Sequence, residues 1–373
     1  MSPEAARHRA ALRLAFAATL ALVWGAMIGE PLPGLTAVLA AQVLVGMPQP
    51  PRLGQAAALV AVIAATGGAA FAVAMTFADR PLILTAALGL LFFFGFAMRE
   101  RAAGRPSLPA TMLLNATAVV PVLTVQADIL GAGVLQTLVT AAARAMLVVW
   151  LLYALLPAPP RETATVRPAG ATAATTSMPV EQNGAARILA KVAIVLPAQL
   201  FYLAEPTALA FPALLGLVTF LSAQDPTAGR AQLVVLLLGN LVGSIAAAAA
   251  SVALEVAPPL PALTLMALLG SLGFAGRIMT IGQRPGGAVA LTGLVTFLML
   301  FGLAASPVPF DVPVFDRTAD IAVLSLYTVG ATALLLPQPV PQWPADTPAA
   351  SKGSSTSSQQ VSGTAPNASG YHG

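Results

Sequence analysis

The chain has 373 residues, 57% of them hydrophobic and 9% charged, with 18 Lys and Arg against 14 Asp and Glu. A water-facing globular surface normally carries about 25% charged residues, so lipid must solvate most of this chain and a soluble enzyme or binding domain is excluded. The net charge of +4 is too thinly spread to form a nucleic-acid face, and with no cysteine the chain can hold neither disulfides nor thiolate metal sites.

Arg7, Arg9 and Arg13 precede an apolar run from Leu14 to Ile28. The pattern imitates a secretory signal. A cleaved signal is followed by a polar mature chain, whereas here further apolar runs follow at once, so it reads as an uncleaved first helix. A bilayer core about 30 Å thick needs roughly 20 helical residues to cross it, and irregular backbone cannot face lipid. Six spans are therefore expected near 11–29, 34–47, 54–77, 81–98, 108–127 and 133–156. Six more are expected near 186–204, 207–222, 231–253, 260–275, 287–305 and 318–336. The second and eighth are short and bracketed by prolines, which in matching halves points to a central binding site or to ordinary tilted helices. The expected organisation is a first membrane repeat over 1–157, a Pro/Ala/Thr-rich cytoplasmic linker over 158–185, a second membrane repeat over 186–337, and a disordered cytoplasmic tail over 338–373.

Charge placement supports this all-α integral membrane fold of about twelve transmembrane helices with both termini cytoplasmic. With the N-terminus inside, only Arg80 and Arg317 fall on the outer side and only Arg144 lies deep in a span. The other basic residues are inside, with Arg13, Arg187 and Lys191 in the first turns of their spans, as the positive-inside rule requires. The halves also match each other: Gly29-Glu30-Pro31 and Ala204-Glu205-Pro206 stand 175 positions apart, and Gly95-Phe96-Ala97-Met98-Arg99 and Gly273-Phe274-Ala275-Gly276-Arg277 stand 178 apart. An even number of spans in each half makes the two six-helix repeats parallel.

Arg144, near the middle of the sixth span, is the most informative residue. An ionised side chain at that depth costs about 2.5–3.5 kcal/mol and is usually kept for a partner or a pathway. Gln136, Thr140 and Arg144 follow one another at i, i+4 and i+8, on one helix face. Arg144 is expected either to hold an anionic substrate group or to form a structural ion pair, for which Asp320 of the symmetry-related helix is a candidate. Glu30 and Glu205, at equivalent outer ends, are the candidate coupling carboxylates, with solvated loop acids as the plainer reading. Asn115 and Asn240 are amides within spans, which bridge helices more often than they bind ligands. Gly239-x-x-x-Gly243 is a close-packing motif, and Phe92-Phe93-Phe94 a lipid-facing or packing surface. His8 and His372 stand at the termini and no phosphate-binding glycine loop is present, so neither a metal, a cofactor nor catalytic residues are expected.

The run Arg13-Leu14-Ala15-Phe16-Ala17-Ala18-Thr19-Leu20, a Pro-containing outer turn, a short second span, a Pro/Arg inner loop and Gly67-Gly68 in a long third span form a pattern that the second half repeats with Arg230 and Gly239-Asn240-Leu241-Val242-Gly243. This resembles the fusaric acid resistance superfamily of aromatic-acid exporters over roughly residues 10–337. The resemblance implies a bacterial inner-membrane efflux transporter for small organic anions or aromatic, drug-like compounds, working with a periplasmic adaptor protein. Its expected partners are a small-molecule substrate and the lipid bilayer, and a homo-oligomer is compatible with it. The alternative is a non-transporting membrane scaffold or assembly subunit of an envelope complex.

Overall fold

The computed structural model describes residues 3–47, 49–102, 107–126, 133–157, 184–204, 211–222, 229–256, 259–281 and 285–306, together with residues 323–324, 326–328, 330–331 and 334–335. The chain divides into a unit Met1–Gln338 and a unit Pro339–Gly373. The second unit, most of the linker between the halves, Glu205 and Asp320 lie outside the described residues.

Runs of apolar residues broken by proline and glycine give helices and, among the described residues, no strand. In chain order they are α1 (Pro3–Met27), α2 (Pro33–Gly46), α3 (Leu53–Phe77), α4 (Pro81–Arg101), α5 (Leu108–Gln126), α6 (Gly133–Leu155), α7 (Gly184–Ala204), α8 (Phe211–Ser222), α9 (Gly229–Val256), α10 (Pro259–Ile281) and α11 (Pro285–Ala304). Proline opens α2, α4, α10 and α11, where its fixed φ suits the first helical turn and its missing N–H has no helical partner to lose. The described helical residues between 323 and 335 fall within the expected twelfth span.

Eight of these helices, α1, α3, α4, α6, α7, α9, α10 and α11, are long and apolar enough to cross a bilayer. Their outward faces carry Leu90, Leu151, Leu238 and Leu269, all exposed. Such faces belong in hydrocarbon, where a helix satisfies its own backbone. The chain thus has the pattern of an α-helical, multi-pass membrane protein. α1, α4 and α10 extend beyond their expected spans, α1 at its start and α4 and α10 at their ends, because a helix entering the interface can run on through polar residues such as Glu4 to His8.

Two helices are short. α2 has 14 residues and α8 has 12, so α2 covers about 21 Å at 1.5 Å per residue and falls short of a core about 30 Å thick. α2 lies against α1, α6 and α11, and α11 lies against α9, α10 and α2. Small residues let these backbones approach. A Cβ on Gly243 of α9 would come within 2.5 Å of the Gly293 carbonyl of α11, and one on Gly302 of α11 would meet the Gly34 backbone of α2 at 2.5 Å. Gly239-x-x-x-Gly243 is thus a packing surface. Phe92 is buried and stacks on Phe96, while Phe94 faces outward.

Candidate functional site

The site begins with the way α1 ends. Gly29 has φ +70°, a conformation that suits glycine. The Glu30 N–H donates to Gly25 O at 2.9 Å and the Gly29 N–H to Ala26 O at 3.2 Å, the paired bonds of a Schellman C-cap. The motif turns the chain back and directs Glu30 over the last turn of α1. Gly25 makes room: a Cβ there would stand 2.7 Å from Glu30 Oε2 and 2.9 Å from Pro33 Cβ. Ser306, just past α11, holds the same turn by donating its hydroxyl to Pro31 O at 2.9 Å.

Glu30 is 4% exposed. The Thr36 hydroxyl lies 3.2 Å and 3.1 Å from its two carboxylate oxygens, donating one proton shared between them. Arg144 Nη1 lies 3.2 Å from Oε1. The first turn of α2, beside the carboxylate, adds the positive end of a helix dipole. Glu30 stands in the turn, outside the helices. Arg144 keeps 28% of its side chain exposed. A guanidinium has five N–H donors, and the pair with Glu30 occupies one side of it.

The depth of this pair follows from what anchors α2 to α6. The Tyr153 hydroxyl donates to Met47 O at 2.6 Å, and Trp150 Nε1 donates to Pro51 O at 2.8 Å. These bonds fix the C-terminal end of α2 beside the last turns of α6. Arg144 lies nine residues earlier along α6, about 14 Å at 1.5 Å per residue. The ion pair is therefore well inside the helical layer, and Glu30 is not a solvated loop acid.

A second charged cluster joins the two halves at the C-terminal end of α4. Glu100 pairs with Arg187 and, at 2.8 Å, with Lys191, both on α7. Lys191 is 5% exposed and also lies over the Phe96 ring. Arg99 Nε donates to Ser222 O at the end of α8. Across the bundle, Arg13 covers the Tyr153 ring at 4.2 Å and donates to Leu156 O. Sequence reasoning placed Arg13, Arg187 and Lys191 at an interface but missed Glu100, whose signal is an acid between Arg99 and Arg101.

Between α2, α3, α5 and α6, and lined also by Leu215 of α8 and Met299 of α11, lies a cavity of about 70 Å³. Leu39, Ile63, Val119 and Leu138 form part of its apolar wall, and Gln42, Thr66 and Asn115 supply its polar atoms. Asn115 Oδ1 is buried without a hydrogen-bond partner.

The expected site residues thus separate. Arg144 and Glu30 meet. Thr140 turns its hydroxyl onto its own helix, at 2.8 Å from Gln136 O, and Gln136 is exposed. Asn240 bridges helices, accepting from the Thr296 hydroxyl at 2.8 Å, whereas Asn115 faces the cavity instead. Asp320 and Glu205 lie outside the described residues. Among the described residues no group of three or more His, Asp and Glu could hold a metal.

Residues 10–156 match a family model described as a protein of unknown function, DUF2955. The matched stretch takes in Gly25, Glu30, Thr36, Asn115 and Arg144, the whole of the ion pair and the central polar group of the cavity. No curated protein matches the chain, and no solved structure matches it.

Proposed function

We propose that this protein is a secondary efflux transporter for small organic anions or aromatic, drug-like compounds in a bacterial inner membrane. In this reading about twelve helices form two parallel six-helix repeats with both termini cytoplasmic. The observation that carries it is the Arg144–Glu30 pair. A cation deep in a helical layer, held by one carboxylate and still partly exposed, can exchange that carboxylate for one borne by a substrate. Glu30 would then be the counter-ion that substrate displaces, and its protonation would favour the exchange.

Helix packing supports the repeat. α1 lies on α10 as α4 lies on α7, α2 on α11 as α5 on α8, and α3 on α5 as α9 on α11. The short α2 and α8 stand at equivalent places, which favours a binding region between the halves. Arg99 in the last turn of α4 and Arg187 in the first turn of α7 fit a cytoplasmic face. The resemblance to the fusaric acid resistance superfamily supports the substrate class and a periplasmic adaptor as partner.

The test is export of a panel of aromatic carboxylates from loaded cells, with wild type, Arg144→Ala and Arg144→Lys compared at matched membrane abundance. Transport through Arg144 predicts export by wild type, loss in Arg144→Ala and poor rescue by Arg144→Lys, because lysine lacks the planar fork that grips a carboxylate. Normal export by Arg144→Ala would remove Arg144 from the substrate path. No export by wild type, with or without a co-expressed adaptor, would favour the scaffold reading.

A further inference from the structure

The cavity beside α2 differs in chemistry from the ion pair. No charged side chain lines it, and Arg144 is not among its walls. An anion entering it would lose its hydration with no cation to meet it. Yet the wall is not wholly apolar. Asn115 Oδ1 is a buried acceptor with no donor. Thr66 has already given its proton to Val62 O at 2.8 Å, so its oxygen can only accept. A lipid acyl chain would leave the Asn115 acceptor unmet, and a buried polar atom without a partner is costly. A ligand with a donor would satisfy it.

We propose that this cavity is a binding site for an uncharged, mostly apolar small molecule carrying one hydroxyl or N–H donor, seated with that donor on Asn115 Oδ1. A water takes about 10–15 Å³ on this measure of volume, so 70 Å³ admits a compact molecule of several heavy atoms. Leu215 and Met299 bring the second half of the chain to the same ligand, so the occupant bridges the halves. The site goes beyond the transport reading: its occupancy requires neither export nor Arg144.

The experiment is a titration of the full-length protein in lipid nanodiscs with cyclohexanol and with methoxycyclohexane, which share a ring but differ in the donor. Apparent affinity is read from the ligand-dependent rise in the thermal midpoint. Cyclohexanol is expected to bind about tenfold more tightly, the ratio that one net hydrogen bond supplies. Asn115→Leu removes the acceptor and should bring the two ligands to equal affinity. Ala116→Phe fills the cavity and should abolish binding of both. Equal affinities in wild type, a preference that survives Asn115→Leu, binding that survives Ala116→Phe, or no shift with either ligand would each overturn the proposal. The last is the result expected of a cavity held by a lipid chain. Because the readout is binding to purified protein, its failure is distinguishable from a failure to export.

Discussion

The Glu30 carboxylate lies over Gly25, so close that a Cβ there would stand 2.7 Å from Oε2. The two stand five positions apart in the chain, and the Schellman turn between them makes the contact. Gly25 is needed for the space above it, whereas Gly29 is needed for its backbone conformation.

Gly25→Ala should therefore displace either the carboxylate or Pro33 and loosen the grip on Arg144. The expected cost is about 1–3 kcal/mol, the usual range for an overpacked site. Gly46→Ala is the control, since a Cβ at Gly46 meets nothing within 4 Å. Thermal unfolding in detergent checks both, and a Gly25→Ala midpoint equal to that of Gly46→Ala would count against the packing argument.

Arg144→Ala should cost about 2–3 kcal/mol, less than the loss of a fully buried partner because part of Arg144 is solvated. Most of that cost is a stranded carboxylate. Glu30→Gln in the same background should restore part of the loss, so the double variant is expected to be more stable than Arg144→Ala alone. Strictly additive losses in this cycle would mean that the two residues do not act as a pair.

At the α4–α7 contact the two bases should differ. Lys191 is 5% exposed, and its side chain has Glu100 as acceptor, so Glu100→Gln leaves a buried ammonium without its counter-charge and should cost about 2–3 kcal/mol. Arg187 has 43% of its side chain exposed, and Arg187→Ala should cost less than about 1 kcal/mol. Equal losses, measured as membrane abundance and thermal midpoint, would show that the buried lysine does not set the strength of the contact.

What the sequence by itself determined is the set of local properties. α2 was expected over 34–47 and occupies Pro33–Gly46, and α3 was expected over 54–77 and occupies Leu53–Phe77. These ends are legible because an apolar run, a proline and a glycine act within one or two turns of themselves. The depth of Arg144 was legible for the same reason, since position along a helix is a count of residues.

Its partner was not legible. Glu30 lies 114 positions away, in a Glu-Pro segment that looks like a solvated loop. Only the short α2, the Schellman turn and the packing on α6 and α11 bring that segment inside the helical layer. Asn115 and Asn240 present the same case: two amides in apolar spans, indistinguishable by local pattern. Tertiary packing gave Asn240 a threonine on the neighbouring helix and gave Asn115 a cavity. Hydropathy is a property of each segment, whereas the partner of a buried polar group depends on which helix faces it.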